Sequence, residues 1–290
     1  MARTVPVYTL QAESGRSIRL AADSDFWLTN LSGDDGLAIE LAAVQSSGQI
    51  GKTRTGQSIG DRSITVTGAI VRNFDSNEAI LKRLVAPGAA LKWCKTVGGT
   101  TWYLDVVPAF TPDVSGGEHL LNFQCRLNAA YPYWRTVETA RTLLGGLQPT
   151  WFPTTVSTAG RFAISRYKND LYTSVRNDGN TETAFTLQLR AAARVKNPML
   201  WNSQTRTFIR LQTEMRAGER AEISTLDGER GCRCYTPENS ASNGFRLLDI
   251  DSDLWMTLLP GDNILRLTAD EGRENLTAVI VAPKGVASGV

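Results

Sequence analysis

Period-two alternation of apolar and polar positions dominates the chain. In residues 63–71, Ile64, Val66, Gly68 and Ile70 alternate with Ser63, Thr65, Thr67 and Ala69. A half-buried strand requires this, because successive side chains leave its two faces in turn. Residues 120–127 repeat the pattern. Residues 90–97 and 101–107 flank Gly98 and Gly99, and a Gly-Gly pair tolerates the positive φ of a tight turn, so a hairpin is expected there. One segment changes period. Ile80, Leu81, Leu84 and Val85 recur at helical spacing, Asp75 or Ser76 can cap the start, and Pro87 and Gly88 end the run. The expectation is strand, helix, hairpin, strand, with the helix covering one face of the sheet.

Alternation lapses in residues 129–153, which carry Tyr131, Pro132, Tyr133 and Trp134, a helical turn expected near 137–144, and then Gly145, Gly146 and Pro149. This stretch is expected to divide the chain into residues 1–148 and 149–290. Beyond it, strand-like runs at 183–189, 207–212, 221–225, 244–250 and 263–268 suit a β-sandwich or jelly roll. The fold class is therefore mainly β: an N-terminal β-sandwich or barrel with one helix, followed by a second sandwich. Trp27, Trp93, Trp102 and Trp255 lie in or beside strands and read as core, whereas Trp134, Trp151 and Trp201 fall near loops.

Composition and charge narrow the function. Of 290 residues, 42% are hydrophobic and 21% charged, enough apolar material for a core. The 31 Lys and Arg nearly balance 29 Asp and Glu, with 14 basic against 13 acidic before residue 150 and 17 against 16 after it. Neither half is a basic platform for nucleic acid or membrane. Apolar runs are short and the first twenty residues mix in charges, so neither membrane insertion nor a signal peptide is expected. The four cysteines read as reduced thiols. Cys232 and Cys234 would share one strand face, but the single histidine, His119, cannot complete a zinc set with them.

The chemical motifs fail on context. Gly56-Gln57-Ser58-Ile59-Gly60 has nucleophile-elbow spacing, with Asp105 or Asp113 and then His119 following. An elbow needs a buried strand before the serine and a helix after it, whereas here a polar stretch precedes and another strand follows. Gly51-Lys52-Thr53 imitates the end of a phosphate loop, but Gly56 and Gly60 prevent the helix whose N-terminus would hold the phosphates. Residues 249–253 alternate aspartates as a calcium loop does, yet Leu254 stands where a glycine is needed and Pro260 where the glutamate should be, so a solvent-facing strand edge is expected. No catalytic residue, metal or cofactor is expected. A glycan-binding module is the rival reading, through exposed tryptophans and loops of the second domain.

The order of several turn and strand signatures is more informative than any one of them. A strand from residue 37 leads into Gly48-Gln49-Ile50-Gly51, then Gly56 and residues 64–70. Next come residues 77–84, Pro132-Tyr133-Trp134, Asn177-Asp178-Gly179-Asn180, Asn197-Pro198, Asn202, Gly218-Glu219, Ile223, Thr225 and Leu259-Pro260-Gly261-Asp262-Asn263. This series resembles the distal tail protein family of long-tailed, non-contractile (siphovirus-like) bacteriophages over nearly the whole chain. The resemblance implies a tail-tube-like N-terminal domain and a galectin-like β-sandwich. It also implies a hexameric ring in the virion, at the tail tip, that leaves a channel for DNA in transit. The implied partners are the tail tube protein, the tape measure protein and tail-tip, baseplate or receptor-binding proteins, with synthesis in the host bacterial cytoplasm. The chain lacks a long insertion in the second domain, which argues against a receptor-binding arm.

Two sets of residues are expected to make contacts. The polar loop of residues 45–62 would touch a neighbouring subunit or the tube through Gly48, Gln49, Gly51, Lys52, Arg54 and Gly56. Loops near Trp201, Asn239 and Asn243 would bind partner proteins or glycans.

Overall fold

The computed structural model describes residues 5–117, 119–149, 165–168 and 172–288. The chain forms two compact units, residues 1–138 with 285–290, and residues 139–284. The first unit therefore holds both a long N-terminal portion and a short segment from the far end of the sequence, while the sequence reading divided the chain once, at 148.

In the first unit the strands are β1 (Val7–Ala12), β2 (Ser17–Leu20), β3 (Phe26–Ser32), β4 (Ile39–Val44), β5 (Thr53–Ile59) and β6 (Arg62–Ile70). Helix α1 (Phe74–Leu84) follows, then β7 (Leu91–Val97), β8 (Thr100–Pro108), β9 (Asp113–Gly117) and β10 (Leu120–Ala129). Seven of these close on themselves in the order β1-β2-β3-β6-β10-β8-β7, because β8 pairs with both β7 and β10 and β7 returns to β1. The result is a barrel, so its ladder has no open edge. Strand β10 serves two partners on one side: Leu120 to Gln124 face β9, and Leu127 and Asn128 face β8. Alternation does the packing. β10 buries Phe123, Cys125, Leu127 and Ala129, and β6 buries Ile64, Val66 and Ile70 against the same interior.

Helix α1 begins at Phe74 after Asn73, which sits at φ 50 and gives no side-chain cap, so neither Asp75 nor Ser76 fills that role. Instead, Asn73 and Asn77 both donate to Asp25 Oδ2, at 3.2 and 3.0 Å, and their hydrogen bonds hold the Asp25 carboxyl below its ordinary range. Of the expected apolar stripe, Leu81, Leu84 and Val85 are buried, but Ile80 is exposed and Asn77 is buried in the first turn.

A polar cluster is built into the barrel. Lys95 Nζ lies 2.6 Å from Asp34 Oδ2, with Tyr8 donating to the same oxygen at 2.9 Å, and both Lys95 and Asp34 are buried. The Arg62 guanidinium, also buried, donates to the carbonyls of Asp34, Gly33, Pro132 and Ala287. Burial pulls its pKa below the usual value, and the Asp34 and Asp35 carboxylates oppose that pull. Gly33 makes the approach possible. At φ +82 any side chain would be strained, and a Cβ there would stand 2.0 Å from the Ser63 carbonyl oxygen. Trp134, expected near a loop, is fully buried and donates its indole N–H to the Asp34 carbonyl at 3.2 Å.

The chain leaves the first unit along β11 (Trp134–Pro149), where a helical turn had been expected. Val137 and the residues at 139–141 are exposed, so no alternation marks this strand in the sequence. The second unit continues with β12 (Ser165–Lys168), β13 (Thr173–Asn177), β14 (Thr186–Ala191), β15 (Val195–Lys196), β16 (Met199–Asn202) and β17 (Thr207–Arg210). Then follow β18 (Glu214–Met215), β19 (Arg220–Ser224), β20 (Gly231–Tyr235), β21 (Ala241–Asn243), the 3₁₀ turn η1 (Phe245–Leu247), β22 (Gly261–Thr268), the 3₁₀ turn η2 (Arg273–Asn275) and β23 (Leu276–Val286). One sheet runs β21-β20-β19-β14-β23 and another β13-β22-β16-β17. Leu187, Leu189 and Ile223 from the first pack in one core with Leu200, Ile209, Leu265 and Leu267 from the second. That is a sandwich, with both sheets contributing alternate residues to one interior.

The strand expected over 244–250 is instead η1 followed by a single bridge from Leu248 to Leu211. The aspartates expected on a strand edge lie in the turn beyond it, where Asp249 Oδ1 accepts from the Asp251 amide at 3.1 Å. Trp93 is core as expected, but Trp27 is 44% and Trp255 69% exposed, so strand membership alone misplaced them. Trp151 lies outside the described residues.

Candidate interaction surfaces

The residues expected to form a polar loop mostly form a hairpin. Among the described residues β4 and β5 pair only with each other, from Ile39 opposite Ile59 to Val44 opposite Thr53, with a bulge between Ala42 and Ala43. Nearly every residue of both strands is exposed. Of the six residues singled out in this region, Gly48, Gln49, Gly51 and Lys52 lie in the turn, and Arg54 and Gly56 lie in β5. Positive φ at Gly48 and Gly51 closes the turn. Gln49 knits it: its Oε1 accepts from the Ser46 amide at 3.1 Å and its Nε2 donates to Thr53 Oγ1 at 2.8 Å. Arg54 donates to Gln57, and Gly56 stands opposite Ala42.

The register sorts the hairpin's side chains. Ile39, Leu41 and Ala43 share a face with Ile59, Gln57 and Arg54, while Glu40, Ala42 and Val44 share the other with Ser58, Gly56 and Thr53. One face is thus apolar near its base, with Ile39, Leu41 and Ile59 all exposed, and Ile50 is fully exposed at the tip. A two-stranded ribbon in water is marginal by itself, and exposed apolar residues gathered on one face mark contact surfaces. Ser58 sits within this exposed ribbon, so its surroundings are not those of a nucleophile elbow.

The three residues expected in second-unit loops are not brought together. Trp201 is in β16, half-buried on the outer face of the four-stranded sheet, stacked on Phe208 with centroids 6.1 Å apart. Asn239 and Asn243 flank and enter β21 at the edge of the other sheet. Asn239, at φ 70, accepts from Arg220, whose guanidinium lies 4.2 Å from the centroid of the Tyr235 ring. Asn243 Oδ1 accepts from the Phe245 amide at 2.9 Å, which sets Phe245 beside the end of β21.

Sequence reasoning missed a hollow of about 820 Å³ on the outer face of this second sheet. Cross-strand register explains its floor: Thr186, Ser224 and Gly231 form one row, and Glu222, Arg233 and Asn243 the next. The signal was in the alternation, since Leu187, Ile223 and Cys232 point into the core and leave these polar neighbours outward. On the core side of β20, Cys232 and Cys234 both face Gly244, whose missing side chain leaves room for the two sulfurs. The hydrogen bond between them lowers the Cys234 pKa and raises that of Cys232.

Comparison with known proteins bears directly on this architecture. Residues 178–279 match the family described as Siphovirus-type tail component, C-terminal domain. The crystal structure of the Dit protein of phage SPP1, described as a paradigm of the hub adsorption apparatus in phages infecting Gram-positive bacteria, is similar with a TM-score of 0.66. The similarity covers 96% of this chain and 98% of that one, at 14% identity. A chain of the phage p2 baseplate in its activated conformation with strontium has a TM-score of 0.57 at 12% identity, over 96% and 98% of the two chains. The calcium form of that baseplate gives 0.55 at 12% identity with the same coverage. No curated protein sequence matches. The family match over residues 178–279 agrees with the distal-tail resemblance read from the sequence, and the structural similarities bear out the mainly β fold.

Proposed function

We propose that this chain, a distal tail protein of the siphovirus type, assembles into a closed ring of identical subunits, six by the family resemblance, at the tip of a phage tail. The ring joins the tube to baseplate and tip proteins and leaves a central passage for the genome. The first unit forms the ring, and the second carries attachment sites on its outside. Its role is mechanical and needs no catalysis. The observation that supports this reading best is the β4–β5 hairpin, exposed on both faces and apolar at the base of one. The seven barrel strands close on one another and β9 adds only a short edge beside β10, so the exposed, partly apolar hairpin is the part of the first unit best suited to lie against the next copy. Heterologous contacts of this kind close into rings when the rotation per subunit permits.

Light scattering and negative-stain imaging of the full chain test this. A ring of one defined size is expected, and replacing Ile39, Leu41 and Ile59 by serine should leave monomers. A wild-type chain that stays monomeric at high concentration would refute ring formation. A variant that still forms rings would remove the hairpin from the interface.

A further inference from the structure

We infer that the hollow on the outer face of the β21-β20-β19-β14 sheet is a binding site for a neutral pyranose sugar, held through Glu222, Arg233 and Asn243 with Phe245 against the ring. The argument starts from unused polar groups. Glu222 and Arg233 are directly opposite in register, yet they form no ion pair with each other and no side-chain hydrogen bond to any described residue. Asn243 uses its carbonyl oxygen on the Phe245 amide, which leaves its NH₂ group open to the hollow. One acceptor-only group, one donor-only fork and one amide donor thus stand in a row, each on its own strand. Adjacent strands are about 4.8 Å apart, close to the spacing of alternate equatorial hydroxyls on a pyranose ring.

The remaining walls fit the same ligand. Ser224 and Thr186 add hydroxyls that can turn to donate or accept. Gly231 lies in that row with no side chain and nothing within 4 Å of where one would be, so the floor is open there. Phe245 is 55% exposed at the rim and offers a flat apolar face to the C–H side of a sugar. Charge chooses among ligands. The lining carries two carboxylates, Glu222 and Glu229, against Arg233 and Arg230, and Arg230 is already paired with Asp227 at 3.0 Å and lies over Trp255. No surplus of cations awaits a phosphate, and no grouping of three or more metal-ligating side chains occurs among the described residues. A neutral polyhydroxyl ring can use the carboxylate and the guanidinium together without adding charge. This inference does not depend on ring assembly.

Saturation-transfer NMR on the full wild-type chain provides the test, with the methyl glycosides of glucose, galactose and N-acetylglucosamine as probes at about 10 mM, a concentration suited to millimolar affinity. Transfer to the ring protons of at least one probe is expected. Arg233→Met and Glu222→Gln should each weaken binding tenfold or more. Ile264→Ser, at an exposed position of β22 on the other sheet, should leave it unchanged, and light scattering should show all three variants in the wild-type assembly state. No transfer to any probe would overturn the inference, as would equal transfer in the Arg233 and Glu222 variants or loss in the Ile264 variant.

Discussion

The two units solve the same problem differently. Both bury alternating apolar residues from antiparallel ladders, but the first closes seven strands into a barrel and the second stacks two open sheets. Closure removes the unpaired N–H and C=O groups through which a sheet recruits another strand. The sandwich keeps edges and blunts them by brevity: β21 has 3 residues and β17 has 4. The first unit carries an exposed hairpin whose strands pair with each other, whereas the sandwich has a hollow on the outer face of one sheet. Where a β protein can be joined thus depends less on strand content than on which ladders are completed.

The contrast can be broken most severely at the buried ion cluster, which has no counterpart among the described residues of the sandwich. Asp34→Ala leaves Lys95 without its closest partner and should destabilise the first unit by about 3–5 kcal/mol. Segment-resolved hydrogen exchange is expected to rise in β6 and β10 and not in β14 or β22. A loss below about 1 kcal/mol would mean that water already satisfies the lysine. The reciprocal change, Leu200→Ala in the sandwich core, should cost about 2–5 kcal/mol by transfer and cavity formation. Its exchange response should be confined to the second unit, and equal acceleration in the barrel would show that the two unfold together.

Thiol chemistry sharpens the comparison at smaller scale. Burial pushes the Cys125 pKa up to about 12. Its contribution to stability is complete below the unfolded thiol value near about 8.5 and is lost as pH rises toward the folded value, on the order of 1.4 kcal/mol per pH unit. Barrel stability should therefore fall above that value, and Cys125→Ala should flatten the decline in a pH series of urea melts. Mass spectrometry after brief iodoacetamide treatment near neutral pH should find Cys234 labelled first and the buried Cys125 and Cys232 last. The smallest effect on stability belongs to the hairpin. Replacing Ile39, Leu41 and Ile59 by serine should move the melting of the monomer by no more than about 0.5 kcal/mol per site, since all three are exposed.

What was legible in the sequence follows the same division. β6, β10 and the β7–β8 hairpin were readable because each has one wet and one dry face. β5 was not, since Thr53–Ile59 is wet on both faces and carries no alternation. The turn signatures behind the family resemblance proved to have buried asparagines at their centres. Asn263 donates to the Leu259, Gly261 and Val175 carbonyls, and Asn177 to those of Thr181 and Leu258. Such residues brace turns, so their order records fold more than chemistry. The Asp34–Lys95–Arg62 cluster could not be read, because its members are separated by dozens of residues and look like ordinary surface charges. The sugar hollow was half visible: Asn243 was singled out, but the row that includes Glu222 and Arg233 exists only once β19, β20 and β21 are in register.

Arg62 grips the carbonyl of Ala287 at 2.6 Å, and Val286 packs on the barrel core, so the first unit needs residues translated after the entire second unit. At roughly 5–20 residues per second, on the order of 10 s separates synthesis of the seven barrel strands from that of their last tie. During that interval Arg62 lacks one of its four carbonyl acceptors, and Val286 is not yet packed on the barrel core. A ribosome-bound chain stopped near residue 150 should accordingly be cut by protease around the Gly33 turn, and a chain extended past residue 287 should resist. The sequence thus sets the order of assembly within one molecule, so that a subunit becomes fully knit only after its sandwich has been made.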